Sequence, residues 1–179
     1  VELILYALVF IAGLLYANLL EWILHKYVLH GLGKNKNSSW ASHWHTHHKK
    51  SRQNGFVDDD YKTKGWNEST SREKSGLIFL AILHLPILFV SVSFYSGVLT
   101  GAFRYYYVHR KSHLDPEWAK KKVPWHYEHH MGKNQEANWG ITTDWVDRVM
   151  GTRINYHDRK AGHPMVILRQ NSLDKDNKR

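Results

Sequence analysis

Fourteen histidines stand in a chain of 179 residues that has no cysteine, so any metal site must draw on nitrogen and oxygen ligands. They fall into clusters. The first is His25-x4-His30, the second His43-x3-His47-His48 with His45 inside it, the third His109-x3-His113 and the fourth His126-x2-His129-His130. Side chains three or four residues apart stack on one helix face, so His109 with His113, and His126 with His129 and His130, could each grip a common centre. His25 and His30 lie about 140° apart on an ideal α-helix, so both reach one centre only if the helix ends or bends between them; Gly31 and Gly33 offer the stop. With His43 counted beside His47 and His48, ten imidazoles are available, more than one metal ion can take. Two metal ions follow. Neutral imidazole suits iron, zinc, copper and nickel alike, so ligand type leaves the metal's identity open.

A single histidine pair beside lysines at a bilayer surface is as readily an interfacial feature as a ligand pair, but four such clusters on one face are not. Three further histidines stay outside the site. His84 lies within apolar Ala81-Ile-Leu-His-Leu-Pro86 and reads as a buried side chain hydrogen-bonded to a neighbour. His157 and His163 read as surface residues or supports in the polar C-terminal part.

The elements that must position these clusters are membrane helices. Residues 3–20 and 76–103 carry no charged side chain, and both runs are long enough to cross a bilayer. The first is too continuous for a signal peptide and lacks a basic leader and a small-residue cleavage site, so it reads as a retained span, its helix running from about 2 to about 29. Residues 34–74 form a polar, water-facing connection. The second run, extending to 113, is too long for one crossing; two arms with a turn near Ser91-Val-Ser-Phe-Tyr-Ser-Gly97 fit better, the 75–91 arm being about 25 Å long against a hydrocarbon core of about 30 Å. Parity agrees, because a single crossing there would put the clusters before 76 and after 107 on opposite sides of the membrane.

The expected fold is therefore all-α: an integral membrane bundle of about three transmembrane helices (about 2–24, 75–91 and 94–113), two of them a hairpin, under a helical histidine-rich cytosolic cap. It is read as one domain, 1–170, followed by a charged, disordered tail, 171–179. Residues 1–24 and the turn contain no Lys or Arg, so the basic excess falls on the histidine side, which places that side in the cytoplasm. The formal charge of +9 then suits anionic lipid head groups, and no nucleic-acid partner is expected. A metal site that opens toward acyl chains meets unactivated C–H bonds, a task that favours iron.

With these motifs in place, the chain resembles the fatty acid hydroxylase and sterol desaturase superfamily of membrane di-iron oxygenases. Leu20-Glu-Trp-Ile-Leu-His-Lys-Tyr-Val-Leu-His30 is similar to its first box, especially in fatty acid 2-hydroxylases. Tyr107-Val-His-Arg-Lys-Ser-His113 resembles its third. His126-Tyr-Glu-His-His130 followed by Asn138-Trp-Gly-Ile-Thr-Thr-Asp-Trp-Val-Asp-Arg-Val-Met-Gly-Thr152 resembles its closing signature. One position departs: the usual second box reads His-x2-His-His, and Trp44 stands where its first histidine belongs. The spacing His43-x3-His47-His48 resembles the form of related membrane desaturases, which favours His43 as ligand, with His45 second.

The resemblance, which covers about 19–152, implies the rest: two iron ions, replaceable by zinc in a purified sample, that reduce O2 and remove hydrogen from a carbon of a lipid or fatty acyl substrate. It implies an external electron donor, a reductase or small redox carrier, since no haem, flavin or iron–sulfur motif is present. Lipid hydroxylation is favoured over desaturation or sterol and carotenoid oxidation by the first and last boxes. A membrane metal-sequestering protein is the non-enzymatic alternative, and it is weakened by histidines gathered at one face rather than along a path. Among residues near the boxes, Glu21 is placed to orient His25, or else to sit as a surface carboxylate; Asp144 and Asp147 would support the site or cap the segment after Gly140. Arg104 reads as a snorkelling or paired cation, Tyr105, Tyr106, Tyr107, Trp125 and Trp139 as an interfacial belt, and Gly97-x3-Gly101 as a close helix contact.

Overall fold

The computed structural model describes residues 1–63 and 65–156; His157, His163 and the 171–179 tail lie outside the described residues. Within them no strand occurs. α1 spans Glu2–Ile23 and continues without a break as a π-helix, Leu24–Leu32. A second π-helical segment, His43–His48, runs into α2, Lys49–Gln53. A 3₁₀ turn at Asp59–Lys62 precedes α3, Glu68–Leu83, and α4 covers Val92–Leu114. Three short helices close the fold: α5 (Pro116–Lys122), α6 (Pro124–Met131) and α7 (Trp145–Met150). α5 and α6 each open on a proline, whose missing N–H and fixed φ cost nothing in a first turn.

The turn between α3 and α4 falls earlier than the 91–97 position expected from composition. α3 stops at Leu83, a 3₁₀ turn occupies Leu85–Phe89, and Ser91 caps α4, its Oγ accepting from Phe94 N at 3.2 Å. Pro86 is the cause, since it cannot donate to the carbonyl four residues back and its ring crowds that carbonyl. Gly97 is consequently inside α4, not in a turn. Its Cα lies against α1: a Cβ added there would stand 3.0 Å from Gly13 Cα and collide with the Phe10 carbonyl, and one on Gly101 would collide with Ala17 Cβ. Small residues thus let α1 and α4 pack backbone to backbone.

The two helices are parallel, contacts running from Ser93 Oγ donating to the Tyr6 carbonyl (2.6 Å) at one end to Gly101 on Ala17 further along. α3 runs the other way, from Glu73 beside His109 to Ala81, whose carbonyl accepts from the Tyr95 hydroxyl. This order brings the carboxyl ends of α1 and α4 and the amino end of α3 to the same end of the bundle.

One helix among the described residues, Glu2–Leu32, is long and apolar enough by length and composition to cross a membrane. Its apolar side chains are bare, as are those of α3, the turn and α4: Leu3 is 81% exposed, Phe79 64%, Phe89 87% and Phe103 73%. Apolar faces of this extent are not left to water.

Candidate metal centre

The π-helices answer the geometric problem of the first cluster. In a π-helix each hydrogen bond spans five residues, so positions i and i+5 stack much as i and i+4 do in an α-helix. His25 and His30 therefore share a face without a break between them, their rings 5.1 Å apart, and the expected end at about residue 29 is replaced by continuation to Leu32. His43 and His48, also five apart and in the second π-segment, share a face for the same reason.

Ten buried or half-buried imidazoles meet in two adjoining groups. His25, His30, His43 and His48 form the first, with ligand nitrogens all within 4.8 Å of one another, and His129 joins it through an Nε2 3.1 Å from that of His30. His47, His109, His113 and His130 form the second, joined by His126, whose Nε2 lies 3.2 Å from His113 Nε2. The groups touch where His130 stacks on His48, ring centres 4.1 Å apart. The fourth box spans both groups, and His129 and His130 also lie with His48 in a third set of ligand nitrogens within 4.8 Å of one another. On α6 the Nε2 of His129 meets that of His30, the Nε2 of His126 meets that of His113, and the His130 ring packs on both His113 and His48. The second box divides likewise, His43 and His48 from His47. His45 takes no part; its Nε2 meets the Lys34 carbonyl at 2.9 Å.

Outside the rings lies a layer of acceptors. Nδ1 of His25 donates to the Trp139 carbonyl (2.6 Å), that of His30 to Glu136 (3.3 Å), of His47 to Asp58 (2.8 Å) and of His48 to Gln135 (2.7 Å). His109 donates to Glu73 (2.5 Å), His113 to the Phe56 carbonyl (2.9 Å) and His129 to the Ala137 carbonyl (2.7 Å). A proton held on Nδ1 leaves the Nε2 lone pair facing inward, the form that binds a metal. His30, His48 and His129 then bring three such lone pairs to within 3.0 and 3.1 Å with no proton between them. Nε2 of His47, His109 and His130 is buried with no partner at all. A cation in each group satisfies every one of these atoms, so the residues fit metal.

Two loops that supply these carbonyls are strained. Phe56 (φ 84°) and Asn138 (φ 59°) are the non-glycine residues with left-handed backbone among those described; the first offers its own carbonyl to His113, and the second sits between the carbonyls that hold His129 and His25. Buried packing sustains this cost. Phe56 is fully buried against His113 and His126, and Asn138 Oδ1 accepts from Ile154 N and from Arg153.

Burial holds His43, His48, His126 and His130 well below the usual imidazole range, and the crowding of neighbouring rings adds to the effect. His129 is pushed down by burial to about 4, although the Ala137 carbonyl opposes the shift. Burial pushes the Asp58 carboxyl up, but the hydrogen bond and charge of His47 outweigh it and hold it below its usual range.

A cavity of about 410 Å³ opens on these rings. Leu24, Leu80, Val98, Leu99 and Ala102 are among its apolar walls from α1, α3 and α4, and His25, His43, His47 and His109 line its histidine end. His84 lies on its wall, Nε2 2.8 Å from the Tyr16 hydroxyl and Nδ1 donating to the Leu80 carbonyl, remote from both groups.

Glu21 does not orient His25. Its carboxylate accepts from the backbone of Ile141 (2.5 Å) and Thr142 (2.9 Å) and from the Thr142 hydroxyl, tying α1 to the closing segment. Asp147 acts through that segment, gripping the amides of Trp139 and Gly140 and the Trp22 indole, while Asp144 pairs with Arg148 and Arg153. Arg104 reaches the Thr142 carbonyl. Sequence reasoning passed over Asp58, Glu73, Gln135 and Glu136. Their signal was position: an acidic run just after the second box, a lone acid beside an apolar run, and a Gln-Glu pair between the fourth box and Asn138-Trp-Gly.

The family model described as fatty acid hydroxylase matches residues 10–152. No curated protein and no solved structure matches the chain. The match takes in all four histidine clusters and most of the chain, as the motif resemblance led us to expect: this protein belongs to the fatty acid hydroxylase family.

Proposed function

We propose that this protein is an O2-dependent di-iron oxygenase that hydroxylates a C–H bond of a lipid or fatty acyl chain. The observation that carries the reading is the meeting of two features at one place, two adjoining groups of imidazole nitrogens close enough to share an ion and the histidine end of an apolar cavity. His25, His30, His43, His48 and His129 would hold one iron ion, and His47, His109, His113, His126 and His130 the other. When bound, iron supplies the activation of O2 that an unactivated C–H bond requires.

The chain's own contribution is orientation and exclusion. On seven of the ten rings an outer carboxylate, amide or carbonyl accepts from Nδ1 and fixes the tautomer, so that no proton competes there with the metal. The cavity walls offer a hydrocarbon chain an apolar path and offer water little to bind, so a chain carbon can rest against His25, His43, His47 and His109. Electrons come from an external carrier. The bare apolar faces support a three-span arrangement, with single domain 1–170 and the histidine cap on the cytoplasmic side by the basic-residue distribution.

The test is direct. The protein purified with iron is supplied with O2, a reductant and a panel of fatty acids and acyl lipids, and products are read by mass spectrometry. A product heavier by one oxygen atom is expected; one lighter by two hydrogens would mean desaturation, and neither would sink the reading for those substrates.

A further inference from the structure

Trp44, the departure in the second box, is used neither by the metal groups nor by the cavity. Its ring centre lies 4.9 Å from that of His30 and 5.3 Å from that of His48, both in the first group. It is half-buried, so one part of the ring touches ligand rings while another reaches the surface. One lysine sits over it, and two more line a groove formed in part by its chain neighbours His45 and Thr46. Lys34 Nζ lies 5.3 Å from the Trp44 ring centre, its charge partly met by Glu136 at 2.9 Å. Lys36 and Lys49 are exposed, have no carboxylate partner among the described residues, and line a surface groove with His45.

We propose that Trp44, with Lys36 and Lys49, is the docking surface for an acidic one-electron carrier protein, and that its ring is the contact through which electrons reach the first histidine group. The inference rests on the oxygenase reading above, whose balance demands it. Converting R–H and O2 to R–OH and H2O consumes two electrons and two protons, so two reduced carriers are each oxidised by one electron per turnover. One oxygen atom enters the C–H bond and the other leaves as water. Electron tunnelling falls steeply with distance, and a π system touching two ligand rings shortens the route from the surface. The substrate cavity meets the centre through other residues, so a docked carrier leaves it free. Lipid head groups are the competing occupant of a basic patch, but this one follows Leu32, at the end of the first helix farthest from apolar residues 3–20.

The experiment uses the full iron-loaded chain in detergent with reduced plant-type ferredoxin, an acidic carrier, as probe. Binding is followed by interferometry and ferredoxin oxidation by stopped-flow absorbance. Binding should weaken as salt rises, and Lys36→Glu with Lys49→Glu should weaken it about tenfold or more, through loss of steering and complementarity. Trp44→Leu should keep metal content and binding but slow ferredoxin oxidation about tenfold, with reduction by dithionite unchanged and Trp44→Phe intermediate. Unaltered ferredoxin kinetics in both the charge-reversed and the Trp44 variants would overturn the proposal. So would charge reversal that abolishes binding to phosphatidylserine vesicles while ferredoxin binding persists, which would make the patch a lipid contact. If ferredoxin is oxidised as expected but no lipid product ever forms, the oxygenase reading fails and the docking surface stands.

Discussion

Glu73 Oε1 lies 2.5 Å from Nδ1 of His109, and the other oxygen of the same carboxylate accepts from the Tyr61 hydroxyl at 2.8 Å. One acid in the first half of α3 thus fixes a ring on α4 and a tyrosine on the 3₁₀ turn that precedes α3. Glu73→Gln keeps the shape but replaces the charged acceptor with a neutral amide. Orienting partners of this kind are worth about 10–100-fold in metal affinity. Titration of the metal-free protein with zinc should show one of two equivalents weakened by that factor and the other unmoved.

His130 and His45 separate ligand from bystander. His130 is fully buried with both ring nitrogens unpartnered, whereas His45 bonds a carbonyl outside the groups. Elemental analysis of iron-loaded protein should find about one metal fewer per chain in His130→Ala and no change in His45→Ala. Equal losses would undo the exclusion of His45 from the metal groups.

Acid should release metal and then fold. The unfolded imidazole titrates near 6.5, while in the folded protein burial holds His129 to about 4 and His43, His48, His126 and His130 well below the usual value. Between those values the unfolded state binds more protons, so stability rises with pH and is lost as pH falls from about 6.5 toward 4. Circular dichroism of the metal-free protein should show this loss, and bound metal should move it to lower pH, because ligands must be deprotonated.

The α1–α4 contact admits no side chain at Gly97. Gly97→Ala forces the helices apart or strains them, a cost of about 1–3 kcal/mol for overpacking. Gly31, whose added Cβ would meet nothing nearer than 3.5 Å, is the control. Thermal unfolding in detergent should show a lowered midpoint for Gly97→Ala and little change for Gly31→Ala.

Much of the fold was legible because its causes are local. Absence of charge over 3–20 and 76–103 predicts apolar helices, and the opposed directions of α3 and α4 follow from the parity of the histidine clusters. The turn was misplaced because serine and glycine near 91–97 were weighed above Pro86, whose missing N–H decides the matter. The ten histidines could be picked out by count and spacing, since a chain without cysteine has few other ways to hold a metal. Their partition could not, because it depends on winding and on rings brought together from as far apart in the chain as His25 and His129. Spacing alone grouped His126, His129 and His130 and let His25 meet His30 only where the helix ends or bends. The π-helix brings His25 and His30 together without such a bend, and α6, set between the two groups, offers its histidines to both. The outer layer lay beyond reach for the same reason: a carbonyl such as that of Phe56 or Trp139 exists at every residue, and only the tertiary fold decides which of them meets an imidazole.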